Sequence, residues 1–161
     1  MKFEHLIEIN DPLNPLMDTI TREQLWRGLV LRADQPTLFM PHLDRCEIGA
    51  RAEGSFGRRL HFGELVIEDT VYLRPLEEVR YEVPAQGEIP ASHMTMAIEM
   101  PAAGRLFVRF RYDDGQAAAA DGATAMYEDF KRSAYQEADI DTIRILRELA
   151  AAGKLDGDTL N

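Results

Sequence analysis

One cysteine, Cys46, stands in the 161 residues, so no disulfide can form within the chain. That fits a reducing compartment. No apolar run approaches the ~20 residues that a helix needs to cross a bilayer. The opening Met1-Lys-Phe-Glu-His5 lacks the apolar stretch of a secretory leader. A cytoplasmic location without a membrane span is therefore expected. Positive charge is scarce: 18 Lys and Arg face 28 Asp and Glu, a net charge of −10. Phosphate backbones repel such a surface, so nucleic acid is not an expected partner. Serine is scarce too, with only Ser55, Ser92 and Ser133, and no Gly-x-Ser-x-Gly turn is present. Ser92 and His93 are strand neighbours whose side chains diverge, which argues against a Ser/His/Asp triad. The histidines His5, His42, His61 and His93 are scattered without ligand spacing. No metal is expected, and the histidines read as solvated surface groups. Gly49, Gly54 and Gly57 suit turns rather than a phosphate loop, and no cofactor is expected.

What is present is alternation. Residues 3–9 read as a first strand, closed by Asp11-Pro12-Leu13-Asn14-Pro15. Thr21 and Gln24 have the spacing of a capping box. Leu25, Trp26, Leu29, Val30 and Ala33 follow on one helical face, and Pro36 and Pro41 bracket the exit. Runs around 46–51, 59–62, 66–74, 79–83, 93–100 and 106–112 then alternate apolar with polar residues between turn signals. That pattern predicts an antiparallel sheet with one buried face; the gaps are too short for helical crossovers. Asp113 to Ala123 reads as a loop. Residues 124–152 read as a long helix with Tyr127, Phe130, Ala134, Ala138, Ile145 and Leu149 on one face, stopped near Gly153. The last few residues are expected to fray. The expectation is one α+β domain over 1–161, without internal repeat. A sheet of this size must cover one face, and only the long helix can do so.

Two segments are distinctive: Leu16 with Thr21-Arg-Glu-Gln-Leu-Trp-Arg-Gly-Leu29, and Asp139-Ile-Asp-Thr-Ile-Arg144. With the element order they resemble the helix-grip fold of the START/Bet v 1-like superfamily (SRPBCC), which includes Bet v 1 allergens, polyketide cyclases and aromatases, and lipid-transfer domains. More closely, the chain is similar to the branch named after acetylaranotin biosynthesis cluster protein L (AtaL-like), a domain-of-unknown-function family. The resemblance covers nearly the whole chain. It implies a curved sheet of about six to seven strands wrapped round a long C-terminal helix, with short helices after the first strand. It also implies an apolar cavity between them, but carries over no catalytic residue. A cone-shaped sheet like that of nuclear-transport-factor-like proteins is the competing fold, and the C-terminal place of the long helix argues against it.

The expected function is binding of a small hydrophobic or aromatic molecule between sheet and helix. Trp26, Phe62, Tyr81, Met96, Ile98, Phe110, Tyr112, Phe130 and Ala134 are the candidate lining. Met94, Met96 and Met100 read either as a cavity wall or as ordinary core. Trp26 reads either as lining or as the anchor of its helix, and the hydroxyls of Tyr81 and Tyr112 either orient a ligand or reach solvent. Asp141 projects beside Phe130, Ala134 and Ile145 on the face expected to be buried. It is either an acid/base group or a structural ion pair joining the chain ends, a role shared by Thr142 and Arg144. Arg109 and Arg111 are expected on the outer, solvated face. An enzyme of polyketide cyclase or dehydratase type is the alternative, and a protein-interaction module without ligand is the third. The sequence specifies neither ligand nor oligomeric state.

Overall fold

The alternating runs all become strands of one sheet. The structure, a computed structural model, describes residues 1–117 and 121–157. Its elements are β1 (Lys2–Asn10), α1 (Arg22–Asp34), a 3-10 turn (Pro36–Leu38), β2 (Arg45–Ala52), β3 (Ser55–Phe62), β4 (Leu65–Arg74), β5 (Glu78–Val83), β6 (Ser92–Ala102), β7 (Arg105–Asp113) and α2 (Gly122–Ala151). The seven strands lie in the order β1-β7-β6-β5-β4-β3-β2, every pair antiparallel. Each strand from β2 onward pairs with its successor, and β7 then returns to pair with β1.

The register sorts the side chains. His5 opposes Phe110 and Ile7 opposes Val108; Met96 opposes both Phe110 and Val79. These residues point to the concave face, where Val71, Val79, Met96, Val108 and Phe110 are buried. Arg109 and Arg111 point to the convex face, as expected. Arg109 pairs there with Glu99 and Glu4, and Arg111 with Glu4.

The capping box of α1 forms as the spacing predicts. The Thr21 hydroxyl accepts from the Gln24 N–H at 3.0 Å, and the Gln24 side chain accepts from the Thr21 N–H at 2.8 Å. Leu25, Gly28, Leu29 and Ala33 are buried on its inner face. Gly28 is where the two helices touch, since a Cβ built there would lie 2.5 Å from Leu146 Cγ. The core therefore lies between the concave face, α1 and the C-terminal half of α2. The short helical region after β1 is α1 with its single 3-10 turn. Of the expected loop 113–123, Asp113 ends β7 and Gly122 already belongs to α2, whose N-cap Asp121 accepts from the Thr124 N–H at 2.8 Å; residues 118–120 lie outside the described residues, as do the expected frayed residues 158–161. Among the described residues no helix is long and apolar enough to cross a membrane.

The expected inner face of α2 needs correction. Phe130 is 72% exposed, Tyr127 and Ala134 are exposed, and Ile145 is half-buried. Asp141 is exposed as well, its side chain 60% accessible and 3.5 Å from Arg144 one turn on. The buried residues are instead Glu128 in the N-terminal half and the stripe Asp139, Thr142, Ile143 and Leu146 in the C-terminal half. Asp141 is two residues from Asp139, about 200° round the helix, so it must face away. Arg144 stays on the outer surface with Asp141 and Glu148. Thr142 does join the chain ends: its hydroxyl accepts from Arg32 Nε of α1 at 3.3 Å.

Candidate functional site

The inward stripe of α2 brings a carboxylate into the grip. Asp139 is fully buried. One of its oxygens accepts from the Tyr112 hydroxyl of β7, and the other lies 2.6 Å from His5 Nε2 of β1. Three elements distant in sequence thus meet at one carboxyl group. Burial pushes the Asp139 pKa up, and the bonds from Tyr112 and His5 only partly offset it. Burial also raises the Tyr112 phenol, helped by the neighbouring Asp139 charge. A carboxyl group bonded to both a phenol and an imidazole can pass a proton between them. His5 was expected in solvent. It is instead half-buried, because its strand position faces inward and stacks with Phe3 and Phe110. His61 lies against Glu47 at the sheet margin, while His42 and His93 are exposed.

A second polar group lies under β3–β5. Arg58 makes a bidentate pair with Asp69 at 2.9 and 2.6 Å, and both are buried. Its remaining arm donates to the Ala33 carbonyl at the end of α1, at 3.0 Å. The Arg58 and Arg32 guanidiniums stand 4.8 and 5.3 Å from the centroid of the Tyr81 ring. Tyr81 is 5% exposed, and its hydroxyl makes no hydrogen bond of good geometry among the described residues. Burial works against the Arg32 charge, but the oxygens of Tyr81, Tyr112 and Asp139 hold its pKa above the ordinary arginine value.

Of these residues Tyr81 and Tyr112 also line a pocket of about 220 Å³ at one end of the grip. Its walls are Tyr81, Val83, Met94, Tyr112 and, from α2, Tyr135, with Ser92, His93, Asp113 and Asp114 at the rim. The Tyr112 and Tyr135 rings stack 4.0 Å apart and nearly parallel. Lys131 of α2 pairs with Asp114 at 2.6 Å, which ties the helix to the exit of β7. A larger hollow of about 640 Å³ lies between residues 14–20 and the end of α2. It is an open groove, and the Arg147 guanidinium within it already donates to the Ile9 and Asp18 carbonyls. The smaller pocket is the better site, because its walls are aromatic and two of them, Tyr112 and Tyr81, touch the buried Asp139 and arginines behind it.

Of the sequence candidates, Tyr81 and Tyr112 line this pocket. Met96, Ile98 and Phe110 are buried in the core beneath it. Trp26 is half-buried and packs against that core. Phe62 is half-buried at the end of β3. Of the methionine stripe, Met94 and Met96 are buried and Met100 is 49% exposed. Phe130 and Ala134 face solvent and do not line this pocket, and the α2 carboxylate that enters the grip beside β1 and β7 is Asp139 rather than Asp141. His5, Arg32, Arg58 and Tyr135 were missed. The inward register of residues 3, 5, 7 and 9 marks His5; nothing in the spacing marks the arginines. Among the described residues no cluster of His, Cys, Asp or Glu is arranged to hold a metal ion.

Solved structures share this architecture. One is the di-domain ARO/CYC StfQ from the steffimycin biosynthetic pathway, at 9% identity and a TM-score of 0.69 over 94% of this chain. The chain spans about half (51%) of that protein's length. Another is the Zhui aromatase/cyclase from Streptomyces sp. R1128, at 13% identity and a TM-score of 0.59 over 100% of this chain and 98% of that one. Human STARD10 matches at 8% identity and a TM-score of 0.62, over 96% of this chain and 66% of its own. At such identities the likeness is one of fold: these are helix-grip proteins of the START/Bet v 1-like superfamily. No curated protein sequence matches the chain. The family model of acetylaranotin biosynthesis cluster protein L matches residues 7–153, nearly the full length, and the chain belongs to that family.

Proposed function

We propose that the protein binds a small aromatic or otherwise apolar molecule in the pocket between β5–β7 and α2. The observation that carries this reading is the pocket wall itself. Three tyrosine rings, a valine and a methionine enclose about 220 Å³ at the open end of a helix-grip fold. Apolar walls with a few convergent polar groups are the mark of small-molecule sites. The volume lies below the roughly 300–1,000 Å³ of drug-sized sites, which favours a ligand of one or two fused rings. Met94 adapts to varied apolar shapes, and the stacked Tyr112 and Tyr135 present flat faces. Two of the structural neighbours are ARO/CYC or aromatase/cyclase proteins by name. That agrees with an aromatic occupant here without specifying it.

The test is calorimetric titration with 2-naphthamide, a neutral two-ring probe. The wild-type protein should bind it. Val83→Trp, which places an indole on a half-buried wall of the pocket, should weaken binding at least about tenfold while the circular dichroism spectrum is unchanged. Unaltered binding to the folded variant, or no binding to the wild type, would overturn the assignment.

A further inference from the structure

The N-terminal half of α2 turns its apolar residues away from the fold. Met126, Tyr127 and Phe130 are 74%, 63% and 72% exposed. With the exposed Ala123 and Ala134 they fall within about 60° of one line along the helix. The same line carries Asp141, Arg144 and Glu148 in the C-terminal half, where these charges pair with one another on the surface. The outer face thus changes from apolar to charged near Glu137. The helix cannot bring its apolar part inward by rotating, because on its inner side Tyr135 stacks on Tyr112 and Lys131 is paired with Asp114. Judged from the ~150–250 Å² that one aromatic side chain offers, the stripe leaves on the order of 400 Å² of side chain in water. That lies within the size range of surface patches that often serve interaction.

We propose that a second copy of this chain docks on the stripe, the two α2 helices packing antiparallel about a twofold axis near Phe130. The order of side-chain sizes argues for that partner. The large Met126 and Tyr127 stand one turn before Phe130, and the small Ser133 and Ala134 one turn after it. An antiparallel pair centred on Phe130 sets residues 126 and 127 of one copy against 134 and 133 of the other, so large meets small on both sides of the axis. A parallel pair would set large on large. Charge agrees with the antiparallel arrangement. Glu137 of each copy then lies beside Ala123 in the first turn of the other's α2, at the positive end of that helix dipole. A lipid surface suits the stripe less well, since membrane-surface helices flank their apolar face with Lys and Arg. Here Asp121, Glu128, Asp129 and Glu137 outnumber Lys131 and Arg132. Two paired stripes bury on the order of 800 Å², below the ~1,200 Å² of stable complexes, so the dimer is a weak one that forms at high concentration. The pocket takes no part, since its α2 wall is the inward Tyr135.

Sedimentation velocity of the full chain over a concentration series tests this. The wild type should show a reversible monomer–dimer equilibrium with a dissociation constant between about 10 µM and 1 mM. Because each chain carries a net charge of −10, the dimer should tighten as added salt screens the repulsion. Phe130→Glu, at an exposed position, should weaken it at least about tenfold without altering the circular dichroism spectrum. Met126→Glu and Ala134→Lys should each weaken it likewise. An equimolar mixture of those two variants should restore a mixed dimer within about threefold of the wild type, because residue 126 of one copy faces residue 134 of the other. A wild type still monomeric at about 1 mM, or one whose dimer Phe130→Glu leaves intact, overturns the proposal. A mixture no tighter than either variant alone overturns the antiparallel docking. A monomeric chain that floats instead with neutral phosphatidylcholine vesicles assigns the stripe to a lipid surface, and the proposal fails.

Discussion

At the residue scale Arg58 and Asp69 form a buried ion pair inside the grip. Each of the three Arg58 nitrogens donates a hydrogen bond, two to Asp69 and one to the Ala33 carbonyl, and so Arg58 joins β3, β4 and the end of α1. Removing one member of a buried pair leaves the other desolvated and alone. Arg58→Met should therefore cost about 3–5 kcal/mol in urea unfolding. The double variant Arg58→Met/Asp69→Leu should recover most of that loss, since an apolar pair of similar volume replaces the buried ions without an orphan charge. Equal destabilisation in the single and double variants would show that the pair supplies net stability rather than mutual compensation. Neither partner could be chosen from the sequence. Arg58 and Asp69 sit in strands rich in charge, where alternation alone makes neighbouring Arg59 and Glu68 look equivalent, and only pairing across β3 and β4 shows which two turn inward.

At the element scale the strands were legible and the long helix was only half so. A strand's period of two fixes its buried face from a few residues, and the sheet pins that face across its whole width. The capping box of α1 was equally readable, because it is a local bond between residues three apart. The inner face of α2 was not. A face fitted to the whole helix follows Tyr127 and Phe130, yet the N-terminal half carries these apolar residues outward. The C-terminal half alone points correctly: stepping back four residues from Ile143, or seven from Leu146, lands on Asp139. Asp139 was hidden because a carboxylate is the last residue type expected on a buried stripe. The C-terminal half is held by a close approach of the two helices at Gly28, whose added Cβ would meet Leu146 Cγ at 2.5 Å and Leu155 Cδ1 at 3.3 Å. Gly28→Ala raises helix propensity by itself, by up to about 1 kcal/mol. Overpacking of the buried Leu146 should prevail and give a net loss of about 1–3 kcal/mol by thermal or urea melts. A gain in stability would mean that α2 yields readily, and that the core between the helices is looser than the contact implies.

At the scale of the whole molecule the closing of the sheet concentrates charge at one end. Asp114, just past β7, receives the Met1 ammonium at 2.5 Å and Lys131 of α2 at 2.6 Å, so one carboxylate joins β1, β7 and the long helix. Burial alone would raise its pKa; the bonds from Lys131, from the Met1 ammonium and from the Gln116 N–H overcome that and hold it at about 2. An unfolded aspartate titrates near ~3.9. The folded state therefore binds this proton less readily than the unfolded chain. Its stabilising contribution is complete above pH ~4 and is lost as the pH falls towards about 2. Asp139 works in the opposite sense: its raised pKa favours the folded state in acid and disfavours it as the pH rises through that value. Thermal melts between pH 5 and pH 2 should separate the two. The wild-type Tm should fall between about pH 4 and 2, and Asp114→Asn should be less stable at neutral pH and lose less over the same interval. Because Asp114 bolts α2 across the mouth of the pocket, the same variant should also weaken 2-naphthamide binding. An Asp114→Asn protein that melts in parallel with the wild type across this range would show that the ion cluster at the pocket end holds nothing together.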